Sequence, residues 1–128
     1  MSSTQTQRIT ANCEIIWGNV CDYDFACDTD DYLHYSCSVK KDFGNFFGGP
    51  LMITCLCRSE EAAWAELDRM LEFRAKQVKR GTPMTKDERL EIFGGPRGKY
   101  KNLLSNFIEE WEERERAKPI ATSGGNKR

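Results

Sequence analysis

The sequence predicts an α+β fold: an antiparallel meander of three to four strands, packed on one face by a long helix and followed by two further helices. Three observations carry this. Up to Cys57, apolar and polar residues alternate with the period of a strand. The links between the alternating stretches are short, which suits neighbouring antiparallel strands. From Ser59 onward the apolar period becomes helical, and glycines punctuate it at Gly81 and Gly94.

Taken in order, residues 1–7 are polar and are expected to form a flexible N-terminus. From Arg8 to Trp17 the odd positions are Ile9, Ala11, Cys13, Ile15 and Trp17, which reads as a first strand. Gly18-Asn19 supplies a turn. Val20 to Cys27 is a second strand, weakened by Asp22 and Asp24 because aspartate disfavours strands. Thr29-Asp30-Asp31 turns the chain. Tyr32 to Lys40 alternates again, with Leu33, Tyr35, Cys37 and Val39 on one side. Asp42 to Gly49 is a glycine-rich loop bearing three phenylalanines, and Leu51 to Cys57 is the last strand.

Ser59 is a natural N-cap for the long helix, and Glu60 and Glu61 suit its positive end. Trp64, Leu67, Leu71, Ala75 and Val78 fall on one stripe of that helix, which should cover the sheet. Phe73 points away from the stripe and requires a second neighbour. Thr85 and Glu88 form a capping box for a short helix from Lys86 to Phe93. A third helix is expected over Arg97–Ala117, docked beside Phe73. Together, residues 8–117 form a single domain, and 118–128 form a disordered tail. FGGP occurs at Phe47–Pro50 and again at Phe93–Pro96, each expected to be an aromatic anchor followed by a sharp change of direction.

With 128 residues and 30% charged side chains, the chain suits one globular domain. A net charge of −1 gives no global pull toward nucleic acid or membranes. No membrane span is present, and the N-terminus lacks the apolar region of a secretory signal. The expected location is therefore intracellular, cytoplasmic or nuclear, with the six cysteines as free thiols. Charge is unevenly spread. Residues 1–73 hold 5 Lys/Arg against 12 Asp/Glu, whereas residues 74–101 hold 9 against 3.

Catalytic and metal-binding constellations fail on spacing. Zinc sites pair cysteines two to four residues apart; here one residue separates Cys55 from Cys57 and five separate Cys21 from Cys27. No metal or cofactor is expected. His34 and Cys37 have opposite strand parity, so they cannot form a catalytic pair. The aspartates from Asp22 to Asp31 lack the glycine and glutamate of a calcium loop. Gly94-Gly95-Pro96-Arg97-Gly98-Lys99 departs from a phosphate-binding P-loop at both ends and follows a helix instead of a strand. The same stretch still offers Arg97, Lys99 and Lys101 as cations at a helix start, where an acidic side chain or phosphate could bind. Five glutamates between Glu109 and Glu115 crowd the other end of that helix, the reverse of what the helix dipole favours.

A three-stranded sheet followed by a helix also resembles part of a double-stranded RNA-binding domain, which grips phosphates with basic residues at the start of its second helix. Glu60 and Glu61 occupy that place, and no helix is expected before the first strand. The run PMTKDERLEIFGGPRGKYKNLL, within residues 64–104, is similar to small uncharacterised proteins of filamentous fungi; the resemblance implies no activity and no site residues. The function expected is that of a non-catalytic, intracellular protein-interaction module. Its partner would be a protein bound through Arg97, Lys99, Lys101 and Phe73. One alternative is nucleic-acid or phosphate binding through the basic 74–101 segment. A second is an enzyme built from dispersed carboxylates and His34.

Overall fold

The computed structural model describes residues 2–118. Their order is helix α1 (Ser3–Trp17), strands β1 (Asp22–Asp30), β2 (His34–Asp42) and β3 (Phe47–Ile53), then helices α2 (Glu60–Arg80), α3 (Lys86–Phe93) and α4 (Lys101–Ala117). The strands form one antiparallel sheet in the order β1-β2-β3. The predicted α+β class therefore holds, with α2 laid on one face of the sheet. The expected tail falls almost wholly on residues 119–128, outside the described residues.

The largest departure is at the N-terminus. Arg8–Trp17 is helical, and the helix begins at Ser3, inside the stretch expected to be flexible. The alternation of Ile9, Cys13 and Trp17 is also a spacing of four, and Ile16 completes one helical face. Two local features select the helix. The Ser2 side chain accepts the Gln5 backbone N–H at 3.1 Å, and Gly18 ends the helix at φ 95°. Ile9 and Cys13 are fully buried on the inner face, and Arg8 pairs with Asp68 of α2 at the rim of the contact. Cys13 thus reaches the core from a helix, not from the sheet.

In the sheet, Tyr23, Phe25, Cys27, Cys37, Val39 and Met52 face the helices. The alternate positions, among them Asp24, Asp28 and Ser38, lie on the other face. That resolves the aspartate puzzle: β1 carries its carboxylates on the solvent face, where Asp24 lies 3.8 Å from Lys40 Nζ. The β1–β2 turn comes later than expected, at Asp31–Leu33. Asp31 and Tyr32 take positive φ, and the Asp30 carboxylate accepts the His34 N–H at 2.7 Å. The first FGGP is part of β3, not a change of direction. A register shift opposite Lys40 absorbs it, and Pro50 is tolerated because β3 is an edge strand. Phe47 and Phe93 are both exposed, so neither is an anchor.

The core gathers Ala63, Trp64, Leu67, Met70 and Leu71 from α2 with Ile9, Cys13, Val39, Met52 and Ile92 from the other elements. Two helices, α1 and the tip of α3, share α2 with the sheet, so its buried arc is wider than the predicted stripe. Phe73 finds its second neighbour in α3, not α4. It packs at the core edge and borders a shallow cleft with Gln77, Arg80, Glu88 and Ile92. The expected docking of the last helix over Phe73 is therefore wrong: α4 packs on α3, tied by Lys86–Glu109 at 3.2 Å. The basic end of α2 is met by α3 instead, through Arg80–Glu88.

A helical, buried α1 has a measurable consequence. Replacing Ile9 with alanine removes a fully enclosed side chain and should cost about 2–5 kcal/mol in denaturant unfolding. Gln7→Ala on the exposed face should change stability by no more than about 0.5 kcal/mol. Equal, small effects would mean that α1 is not part of the core.

Candidate functional site

The second FGGP builds the most individual piece of backbone in the chain. Helix α3 ends at Phe93 without a left-handed glycine cap, since Gly94 has φ −77°. Its last carbonyls are met from outside. Arg69 of α2 donates to Glu91 O at 2.7 Å and to Ile92 O at 2.9 Å. The same guanidinium is held by Glu66 through two further bonds, both 2.8 Å. Glu66 has a side chain only 3% exposed, so this fork is its means of burial. The Glu66 carboxylate and the neighbouring Glu91 in turn hold the Arg69 guanidinium above its usual pKa, despite partial burial.

Past this clamp the chain folds back on itself. Gly94 is buried, and a Cβ there would lie 2.3 Å from Leu90 O. Gly95, at φ 88°, passes so close to the Tyr100 ring that a Cβ would meet it at 2.6 Å. Tyr100 donates its backbone N–H to Gly94 O at 2.6 Å. A single 3-10 turn spans Pro96–Gly98, and within it Arg97 adopts φ 56°, ψ 24°. For a residue with a Cβ this left-handed geometry costs roughly 1 kcal/mol or more, and such strain concentrates where a side chain must be aimed.

The loop forms one wall of a cleft of about 520 Å³; the β3–α2 connection forms the other. Leu56, Pro96 and Tyr100 give it an apolar lining, and Arg58, Arg97 and Lys99 border it. Among the described residues none of these three cations forms an ion pair. Lys99 Nζ instead lies 5.4 Å from the Tyr100 ring centroid, a cation–π distance. Leu56 is 58% exposed at the mouth.

The four residues singled out from the sequence therefore separate. Arg97 and Lys99 share the cleft. Lys101 does not: its ammonium donates to Glu91 at 2.7 Å, which holds that carboxyl below its usual pKa, and its stem packs by Gly94 and Gly98. Phe73 lies on the separate cleft beside Arg80, with Arg69 and Lys76 within 5.8 and 5.7 Å of its ring. Arg58 was missed. It sits 39 positions before Arg97, and only the fold brings the two to one cleft, so no local signal in the sequence singled it out. The reversed charging of the last helix is also milder than expected. Because Arg97 is left-handed, α4 starts at Lys101, and Arg97 and Lys99 lie outside it.

The remaining chemistry is quiet. Among the described residues no group of His, Cys, Asp and Glu is arranged to hold a metal ion. All six cysteines are free thiols. Burial pushes Cys13 up to about 12 and Cys57 up to about 11, and raises Cys37 as well, so these thiols stay protonated at neutral pH and are poor nucleophiles. His34 opens β2 with an exposed ring, its Nδ1 3.3 Å from Asp30. At the start of α2 stand Glu60 and Glu61, with Glu60 accepting from Trp64 Nε1. The helix α1 that was not expected completes an α-β-β-β-α order, which removes one of the two objections to the RNA-binding resemblance. The acidic start of α2 leaves the other standing. No helix among the described residues is long and apolar enough to cross a membrane. No family model, curated protein or solved structure matches the chain.

The clamp can be tested by asymmetry. Arg69→Ala strands a buried carboxylate and should destabilise by about 3–5 kcal/mol, whereas Arg69→Leu combined with Glu66→Leu should cost far less. Urea melts of the two variants would show it. Similar losses in both would mean that the pair is not a buried unit.

Proposed function

We propose that the chain is a non-catalytic protein-interaction module that takes an acidic segment of a protein partner into the cleft between the β3–α2 connection and the Gly94–Tyr100 loop. One observation carries the reading: Arg58, Arg97 and Lys99 converge from two distant parts of the chain on an apolar-lined cleft, and none pairs with a carboxylate among the described residues. Cations without ion pairs among the described residues, beside exposed Leu56 and half-buried Tyr100, suit a ligand that offers both negative charge and apolar surface. A positive patch of this kind steers encounter and fixes register more than it adds raw affinity.

A long phosphate backbone fits less well. Three cations are few for the many phosphates of a long backbone. An enzymatic reading has no support from His34, whose exposed ring at the start of β2 meets Asp30 of the neighbouring strand. The proposed setting is a reducing intracellular compartment, cytoplasmic or nuclear, in which six free thiols persist.

Selection of a random peptide library on the purified protein tests this. Acidic peptides with an apolar residue should be enriched. The triple variant Arg58→Glu/Arg97→Glu/Lys99→Glu should lose about 2–3 kcal/mol of their binding, each exposed pair contributing up to ~1 kcal/mol. Enrichment of uncharged peptides, or equal binding by the triple variant, would overturn the reading. Tighter binding of duplex RNA than of any peptide, falling steeply with salt, would favour nucleic acid instead.

A further inference from the structure

Two thiols meet across the first hairpin. The β1–β2 register sets Cys27 opposite Cys37, and both side chains lie on the face turned toward the helices. The direction of the backbone groups decides what kind of pair this is. Cys37 O accepts the Thr54 N–H at 2.9 Å, and the Cys37 N–H donates to Thr54 Oγ1 at 3.0 Å. Both polar groups of Cys37 thus point away from β1. Tyr35, two residues earlier, turns both of its groups the same way, onto Cys57. Cys27 and Cys37 therefore form a non-hydrogen-bonded pair, the type in which opposite Cα atoms approach to about 4.5 Å and side chains come closest. A disulfide spans Cα separations of roughly 4.4–6.8 Å. The two thiols are already in hydrogen-bonding contact.

The other four cysteines offer no equal pairing. Cys13 lies on α1, and Cys21 precedes β1. Cys57 opposes Tyr35, one row along the sheet from Cys37. Diagonal neighbours on a sheet sit about 7–8 Å apart, beyond a bridge without backbone movement. Cys55 and Cys57 do touch, but only Leu56 separates them, and so short a loop constrains the unfolded chain least. We propose that Cys27 and Cys37 are a redox-responsive pair, a dithiol in a reducing compartment and a cross-strand disulfide when a small-molecule disulfide such as oxidised glutathione accumulates. Half-buried Cys27, on an edge strand, is the point of entry, and Cys37 is fully enclosed. The Cys27 thiolate attacks one sulfur of the incoming disulfide, and one glutathione leaves as its thiolate. Cys37 then gives up its proton and attacks Cys27 Sγ, expelling the second glutathione. Two protein thiols are oxidised, one glutathione disulfide is reduced, and the two protons released end on the two leaving thiolates. Burial raises the pKa of the Cys37 thiol, so the second step is the slow one, and closure follows a sustained change in the thiol pool. The bridge joins β1 to the residue whose backbone anchors Thr54 at the end of β3, so the sheet is tied across its width at one row.

The test equilibrates the full chain in glutathione buffers running from fully reduced to mostly oxidised, quenches in acid, and locates the remaining thiols by alkylation and peptide mapping. Two of the six thiols should disappear together, those of Cys27 and Cys37, and excess reduced glutathione should restore both. The oxidised protein should keep the circular dichroism spectrum of the reduced one and melt on the order of 10 °C higher. Cys27→Ser, at a half-buried site, should fold and form no internal bridge at any ratio. Six unbridged thiols at the oxidised end, or glutathione adducts alone, would overturn the proposal. So would a bridge at Cys55–Cys57 in place of this one, a bridge that forms only in denaturant, or an oxidised protein that melts no higher than the reduced. None of these readouts depends on the basic cleft, so either proposal can fail without the other.

Discussion

The buried Glu66–Arg69 fork is the interaction on which the distinctive half of this molecule depends. A carboxylate 3% exposed is costly to bury alone, and one guanidinium answers it with two parallel bonds. Arg69 then has N–H groups left over, and these close the end of α3 by binding Glu91 O and Ile92 O. In effect α2 supplies the cap that the sequence of α3 lacks. Everything downstream inherits its position from this joint: the buried Gly94, the approach of Gly95 to Tyr100, the left-handed Arg97, and the direction in which α4 leaves.

Much of the fold was legible because local and global preferences agree. Helix α2 has a serine cap, acidic first turn, apolar stripe, basic last turn and closing glycine, and each is used. The capping box of α3 is complete in the structure. Helix α1 was misread because Ile9, Cys13 and Trp17 satisfy two periods at once, and no acidic first turn or basic last turn tips the balance. Its energy comes from tertiary packing of Ile9 and Cys13, a long-range term that a window of sequence does not contain. The position of α4 failed for a related reason. Pairing the acidic end of the last helix with the basic end of α2 is electrostatically sensible. The left-handed turn at Arg97 sends the chain along α3 instead, and the close approaches at Gly94 and Gly95 that accompany it, like the clamp that sets them, exist only in the folded chain.

The candidate site follows the same division. Arg97 and Lys99 could be picked out because a glycine-rich stretch with cations lies between two helical patterns. Their partner in the cleft, Arg58, could not, since its relation to them exists only after α2 and α3 have docked. Lys101 looks equivalent in sequence yet is spent on Glu91. Phe73 likewise had a structural task, at the α2–α3 boundary. What the fold leaves uncommitted are the three cations of the cleft, and the clamp orients the loop that carries two of them.

The most direct test of that account is amide hydrogen exchange at Gly98, Lys99 and Tyr100 in the Arg69→Leu/Glu66→Leu protein. These amides bond to Gly95 O, Pro96 O and Gly94 O inside the loop. If the clamp holds the loop, their protection should fall toward that of an open segment while the amides of α1, α2 and the sheet keep theirs. Unchanged protection at the three loop amides, in a protein that has lost the fork, would contradict the claim that Glu66 and Arg69 position the site.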